Sequence, residues 1–287
     1  MFWKPVVAAA ALALTLGGIA ATQHEMPAST PVAASVPAYD HIVMVMFENH
    51  QYSQINGSSS APYFNSLASQ GAKFTQSFGV THPSQPNYLA MFSGSTQGNT
   101  NDNCPLSWGN NNNFAAQLIA AGKTFKQYSE AMPSDGYTGC SSGTYRRKHN
   151  ATPDFTNVPA SSNVRFSTFP SSANYASLPN ISFVTPDMCN DMHDCSVSTG
   201  DTWLNNKMSA YATWAKTHNS LLIVTFDEDN GAGANQIFTV FVGQNVITGS
   251  YSESINHYNI LRTMEASQGL PGINNAASLS PILDVFS

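Results

Sequence analysis

The chain has 287 residues, a net charge of −6 and only 10% charged residues. So weakly charged and acidic a surface has no field to draw in a polyanion, which excludes nucleic-acid binding as its business. About 250 residues beyond the N-terminal segment suffice for one α/β domain with a full core.

Lys4 precedes a mostly apolar run over residues 5–16, followed by Gly17, Gly18, Ala20 and Ala21. This is the pattern of a secretory signal peptide, expected over residues 1–22 with cleavage near 20–22. The apolar core is short for a membrane span of about 20 residues, and an uncleaved anchor is the alternative. Residues 23–38, rich in Pro, Ala and Ser, read as a linker, and 39–287 as one folded domain. No later run is long enough to cross a bilayer, so export to the extracellular space is expected.

His41–Phe47 is an apolar run of buried-strand type that ends directly in Glu48, Asn49 and His50. Polar groups just past the carboxyl end of a buried strand are where α/β proteins keep their sites. Pro62–Gln70 reads as a helix stopped by Gly71. Residues 72–80 suit another strand, with Phe74, Phe78 and Val80 inward.

Ser84 then lies between Pro83 and Pro86. The prolines predict a stiff, non-helical turn with the hydroxyl outward, and a helix beginning at Pro86 with Tyr88, Leu89, Met91 and Phe92. A helix N-terminus favours an anion. A serine hydroxyl is a poor nucleophile, however, and requires a base or a metal.

A helix is expected over 113–121, with Gly122 closing it, and a strand over 124–128. Tyr145-Arg146-Arg147-Lys148-His149-Asn150 is the one basic cluster in an acidic chain. It reads either as a solvated loop or as a clamp for an anionic substrate. Asn150-Ala151-Thr152 matches a glycosylation sequon.

The strand at 179–185 runs into a loop with Asp187, Asp191, His193 and Asp194, bounded by Cys189 and Cys195. Asp201 is expected to cap a helix over 202–217. The strand at 221–226 is followed without a break by Asp227, Glu228 and Asp229. Three consecutive carboxylates repel one another unless a cation sits among them. A strand at 237–242 and a helix opened by His257 complete the pattern.

Four cysteines in an exported chain suggest two disulfides. Of the three pairings, Cys104–Cys140 with Cys189–Cys195 closes the most plausible loops. The spacings do not suit a four-cysteine zinc site. Strand–helix alternation with polar clusters at strand ends predicts a three-layer α/β/α sandwich with a mostly parallel central sheet. No GxSxG elbow is present, which disfavours an ordinary α/β-hydrolase.

The strand ends offer Glu48 and Asn49, Ser84 and Asn87, Asp187 and His193, and Asp227 and Glu228. Oxygen-rich side chains around a serine suit a divalent cation. The ordered motifs HIVMVMFENHQYSQINGS, THPSQPNYLAMFSGST, YRRKHNATPDF, PNISFVTPDMCNDMHDCSVSTGDTWL, LLIVTFDEDNG and HYNILRTMEASQGLP resemble the bacterial phosphoesterases. That family includes secreted acid phosphatases and phosphatidylcholine-type phospholipases C and belongs to the alkaline-phosphatase superfamily. In length and cysteine content the chain looks most like the actinobacterial acid phosphatases.

The resemblance implies that Ser84 is the nucleophile and Asn87 a donor to a phosphate oxygen. It implies Glu48, Asn49, Ser84, Asp227 and Glu228 as metal ligands. Asp187 and His193 match a polar motif that binds phosphate, serves as leaving-group acid or holds a second metal. Lys148 and His149 fall in a motif assigned to substrate phosphate. Glu-Asn in the first metal motif, where two-zinc relatives carry Asp, favours Ca²⁺ over Mg²⁺ or Zn²⁺. The expected substrate is a phosphorylated small molecule or phospholipid headgroup, and the expected state a monomer. A phospholipase C acting on diesters is the near alternative. A serine esterase using Ser84 with His82 or His193, and a non-enzymatic cation-binding adhesin, are the distant ones.

Overall fold

The computed structural model describes residues 1–5 and 35–287. The expected signal peptide and linker lie almost wholly outside the described residues, and the fold is that of the unit spanning 34–287.

The elements in chain order are β1 (His41–Phe47), α1 (Tyr52–Ile55), α2 (Pro62–Gln70), β2 (Ala72–Phe78), α3 (Ser84–Ser93), α4 (Phe114–Ala120), β3 (Phe125–Ser129), β4 (Ser141–Ser142), β5 (Tyr145–Arg146), β6 (Asn163–Arg165), β7 (Ile181–Thr185), α5 (Val197–Ala215), β8 (Ser220–Phe226), β9 (Gln236–Gly243), β10 (Gly249–Tyr251), β11 (Ile255–Asn256) and α6 (His257–Ser267). The main sheet runs β10-β2-β9-β8-β1-β7-β3-β6, with β11 also on β2. Its pairs are parallel except those of β9, which is antiparallel to both β2 and β8. The expected three-layer fold with a mostly parallel sheet is what forms.

The central strands are continuous apolar runs because both faces are covered. Ile42, Met44 and Met46 of β1 face one layer with Leu89 and Phe92 of α3, Leu118 of α4 and Leu261 and Met264 of α6. Val43, Val45 and Phe47 face the other, with Phe64 and Leu67 of α2 and Leu204, Met208 and Tyr211 of α5. At about 25 cal/mol per Å² of apolar area, this two-sided burial is the main stabilising term of the frame.

Register places the polar ends. Phe47 pairs with Phe226 across β1 and β8, and the Asp227 amide donates to the Phe47 carbonyl at 2.9 Å. Glu48 and Asp227, the next residues on each strand, therefore emerge side by side.

Three local expectations change. The N-terminal helix of the 187–217 region starts at Val197, where Ser196 caps it by accepting from the Thr199 amide. Asp201 lies inside that helix and caps a different one: its Oδ1 accepts from the amides of Tyr63 and Phe64 at 2.8 and 3.0 Å. The N-cap position of α2 is Ala61, which has no side chain to do this, so α5 supplies the acceptor across the interface.

Ser84 is the second change. It is the first residue of α3, with Pro83 as the extended N-cap. Pro86 falls in the first turn, where its missing N–H costs nothing, so the helix takes in Ser84 instead of starting after it. The hydroxyl is buried rather than projecting outward. The third is Asn150, which is buried with its amide donating to Asn163 at 2.8 Å. That leaves no access for a glycan.

Both disulfides have the expected pairing, Cys104–Cys140 and Cys189–Cys195. No helix among the described residues is long and apolar enough to cross a membrane.

Candidate active site

Ser84 Oγ donates to Glu48 Oε2 at 2.8 Å and lies 3.4 Å from Glu228 Oε1. Asp227 Oδ1 accepts from the backbone amide of Asn49 at 3.0 Å. The Asn49 backbone sits at φ +23°, a turn that Asn tolerates better than most residues. Asn49, His82, Pro83, Glu228, Asp229, Asn230 and Gly231 line an open cleft of about 300 Å³. The geometry brings Glu48, Asn49, Ser84, Asp227 and Glu228 to one place.

Asn87 is fully buried, and its amide is largely spent on the loop before Ser84. Oδ1 accepts from the amides of Val80 and Thr81, and Nδ2 donates to the Thr81 carbonyl at 2.8 Å. These bonds make Asn87 a clasp that holds the Ser84 corner. Nδ2 also reaches Glu228 Oε2 at 3.3 Å.

Asp187 does not enter the site. Its carboxylate accepts from Thr144 Oγ1 and from the amides of Cys189 and Asn190, closing its own turn. The aspartate that turns inward is Asp191. Its carbonyl accepts from the Glu48 amide at 2.9 Å, which fastens the 187–195 loop onto the end of β1. The acidic pattern of this loop is plain in the sequence, but which aspartate faces in depends on how the Cys189–Cys195 bridge folds it.

His149 also departs from expectation. It is buried, stacked on Tyr88 with ring centroids 5.1 Å apart and planes at 11°. Nε2 lies 3.1 Å from Glu48 Oε1, and Nδ1 lies 3.2 Å from Asp191 Oδ2. A surface clamp for substrate phosphate cannot be built from a ring sealed between two carboxylates. Arg147 is likewise structural, bound to Asp154 through Nε and Nη2 at 3.0 and 2.7 Å. Of the basic cluster, Lys148 is near enough for its charge to act on the Glu48 and Glu228 carboxyls. It meets Asp102 Oδ2 at 3.0 Å and His193 Nε2 at 3.4 Å. His193 Nδ1 lies 2.8 Å from Asp194 Oδ1.

The electrostatics are those of crowded carboxyls out of water. Burial, then the charges of Asp227 and Asp191, push the Glu48 carboxyl well above its usual range. Burial raises Asp191 strongly too. Asp227 is pushed up to about 7 and Glu228 to about 8, in both cases first by burial. Burial, with Lys148 next, holds His149 well below the ordinary imidazole value, so it is neutral. For Lys148, burial opposes the charge, but Glu48 and Asp102 outweigh it and the ammonium is strengthened.

Such a cluster fits a cation. Glu48 Oε1, His149 Nε2, Asp191 Oδ2 and Asp227 Oδ2 are buried with no aligned hydrogen-bond partner. The short approaches between His149 and its two neighbours are thus contacts of distance, not of hydrogen-bond direction. Donor atoms of Glu48, His149 and Asp191 all lie within 4.8 Å of one another and could hold a metal ion. Glu48 is shared between this trio and the Ser84 cluster.

Among the described residues no histidine nitrogen lies within hydrogen-bond reach of Ser84 Oγ, whose partners are the two glutamates. The Ser–His pair of a serine esterase is not assembled. His82 instead pairs with Glu228 Oε2 at 2.8 Å, and buried His257 fixes the Asp227 carbonyl at 2.6 Å. Both supporting contacts join residues far apart in the chain.

Among solved structures, the fold is similar to an alkaline-phosphatase-superfamily protein from Vibrio parahaemolyticus, with a TM-score of 0.61 at 13% identity over 84% of this chain and 71% of that one. In sequence, the chain is 47% identical to a phosphatidylinositol-3-phosphatase of Mycobacterium tuberculosis, over 98% of this chain and 92% of the relative. It is 30% identical to a phosphate-repressible acid phosphatase of Penicillium chrysogenum over 82% of this chain, spanning 60% of that relative's length. The sequence profile of the phosphoesterase family matches residues 58–271. With that match over most of its length, and a buried serine set among carboxylates at the ends of parallel strands, this chain belongs to the phosphoesterase family.

Proposed function

We propose that the chain is a secreted, metal-dependent phosphatase that hydrolyses phosphate monoesters through a phosphoserine on Ser84. The observation that carries the reading is the Ser84 hydroxyl held 2.8 Å from Glu48 within a cluster of orphaned buried carboxylate oxygens. A cation held by Glu48, Asn49, Ser84, Asp227 and Glu228 would lower the serine's pKa and offset phosphoryl charge. An all-oxygen set suits Ca²⁺ or Mg²⁺, whereas the imidazole of His149 beside Glu48 would suit a transition metal better.

The chain's own residues then divide the work. Asn87 and the α3 N-terminus fix the direction of Ser84 Oγ. Ser84 passes its hydroxyl proton to Glu48 Oε2, which already accepts its hydrogen bond, its oxygen attacks phosphorus in line, and the bond to the leaving alkoxide breaks. His193 Nε2, at the mouth beside Lys148, gives the leaving oxygen its proton. Lys148 faces the charged oxygens of the phosphoryl group. Water then gives a proton to His193 and attacks the phosphoserine, inorganic phosphate leaves, and the proton held by Glu48 returns to Ser84 Oγ to restore the hydroxyl. Export and a monomeric state complete the proposal. The two disulfides are consistent with an oxidising compartment. The mycobacterial relative makes a phosphoinositide headgroup the first natural substrate to try.

The test is release of p-nitrophenol from p-nitrophenyl phosphate and from its bis-ester, with and without chelator, beside Ser84→Ala. Monoester turnover that chelator abolishes and that Ser84→Ala lowers by roughly 10³-fold or more supports the reading. Preference for the bis-ester would favour a phospholipase C. Full activity in chelator would overturn the metal's part.

A further inference from the structure

Asp102 occupies the position between the nucleophile's helix and the lysine. Its Oδ1 accepts from the backbone amide of Gln85, the residue after Ser84, at 2.9 Å. Its Oδ2 meets Lys148 Nζ at 3.0 Å. One carboxylate thereby joins the first turn of α3 to the ammonium whose charge acts on Glu48 and Glu228. The free N–H that the helix start would otherwise present to an anion is already taken by this oxygen.

The loop that carries Asp102 is held from both flanks. In the orientation that satisfies both amide atoms, Gln85 Nε2 donates to the carbonyls of Asn103 at 2.9 Å and Asn101 at 3.2 Å. Gln85 is buried, so this clasp is out of water. Backbone and side chain of one residue thus grip Asp102 and its two neighbours. Two residues on, Cys104 is bonded to Cys140, and the Cys140 carbonyl accepts from the amide of Arg147 at 3.0 Å. The same bridge therefore anchors both ends of the Asp102–Lys148 contact: one end through the 101–104 loop, the other through the segment that presents Lys148.

A lysine has four rotatable carbons and no fixed fork, so its ammonium must be positioned by something else. The Lys148 side chain is 17% exposed and Asp102 30%. The pair is sheltered enough to hold one geometry, yet open to an incoming phosphate. We infer that Asp102 is a positioning residue, holding the Lys148 ammonium at the start of the Ser84 helix where the phosphoryl group of a monoester must bind. The inference rests on the phosphatase reading for its catalytic consequence, but its binding consequence can be measured without turnover.

Asp102→Asn is the informative variant. The asparagine oxygen can still accept from the Gln85 amide, so the loop is kept while the charge facing Lys148 is lost. It should be compared with wild type, Lys148→Ala and the double variant, with thermal unfolding as the control for folding. Two readouts are needed: kcat/KM on p-nitrophenyl phosphate, and the affinity for inorganic phosphate by calorimetry. Asp102→Asn should lower kcat/KM by roughly 10- to 100-fold, the scale of a small misplacement of a charged group. It should weaken phosphate binding in the same direction, with the melting temperature unchanged. In the Lys148→Ala background the Asp102→Asn change should have almost no further effect, because the group it positions is gone.

Equal losses in both backgrounds would overturn the inference and make Asp102 a general scaffold residue. So would an Asp102→Asn variant with unaltered phosphate affinity, or a wild-type protein that binds no phosphate. A wild type that binds phosphate but hydrolyses neither ester would instead sink the phosphatase reading, and the calorimetric comparison would still decide the role of Asp102.

Discussion

Ser84 Oγ donates to Glu48 Oε2 at 2.8 Å, while the other oxygen of that carboxylate lies 3.1 Å from His149 Nε2. Glu48 is therefore the joint between the nucleophile and the buried trio with His149 and Asp191. It is fully buried, and its charge is unfavourable without a positive partner.

Glu48→Gln keeps the shape and removes the charge. Its metal content, read by elemental analysis after dialysis, should fall with an affinity loss of at least about tenfold, since even groups behind the ligands cost that much. Asp191→Asn should also lose metal, and Asp187→Asn should not. Equal metal content in the Asp187 and Asp191 variants would refute the assignment of Asp191 to the site.

Asp201 is predicted to matter for stability and not for chemistry. Asp201→Ala leaves the amides of Tyr63 and Phe64 without their acceptor. The loss should be about 1–2 kcal/mol, as for other cap deletions, with turnover by the folded protein unchanged. Denaturant unfolding of the two proteins is the check.

Glu265 gives the fold a pH dependence remote from the cleft. It is buried on α6, Oε1 accepts from the Ile273 amide at 3.0 Å, and Arg262 stays 3.8 Å from Oε2. Burial pushes its carboxyl up to about 8, against an ordinary value of 4.5. The folded state therefore keeps a proton that the unfolded chain releases. The resulting stabilisation is full below about pH 4.5 and is lost as pH rises toward 8. Glu265→Gln should flatten that fall, gaining roughly 4 kcal/mol over wild type at pH 8. Parallel pH profiles of the unfolding free energy for the two proteins would contradict this.

The disulfides should differ in weight. Cys104–Cys140 spans 36 residues and Cys189–Cys195 spans 6. By loop-closure entropy the first is worth about 4 kcal/mol and the second about 2 kcal/mol. Paired Cys→Ser variants in urea should show that order. The short bridge should nevertheless cost more metal, because it shapes the loop that turns Asp191 inward.

Much of this molecule is legible in the chain alone. His41–Phe47 and Pro62–Gln70 have the observed bounds, and the strands at 181–185, 220–226 and 236–243 lie within a residue or two of where their apolar runs put them. A strand buried on both faces must be apolar throughout, so its limits are written in consecutive residues. The polar clusters after β1, β7 and β8 are visible for the same reason: each begins where the apolar run stops. Ser84 between its prolines is conspicuous for its rigid neighbours.

What the sequence could not settle are contacts between residues distant along the chain. Nothing local separates Asp191 from Asp187; a loop closed by a bridge and fastened to the Glu48 amide decides it. Nothing near His149 announces that it will be sealed between Glu48 and Asp191, because its neighbours in sequence are basic and its neighbours in space are acidic. Asp201 sits just inside its own helix and serves another, since the acceptor that α2 lacks comes from the element packed across from it. Asp102 carries no motif at all, yet it bridges Gln85 and Lys148. Local residue pattern determines which segments become strands and helices and which polar groups stand at their ends. Side-chain direction at those ends is decided only by tertiary packing, because a carboxylate or imidazole turns toward whichever buried partner relieves its desolvation.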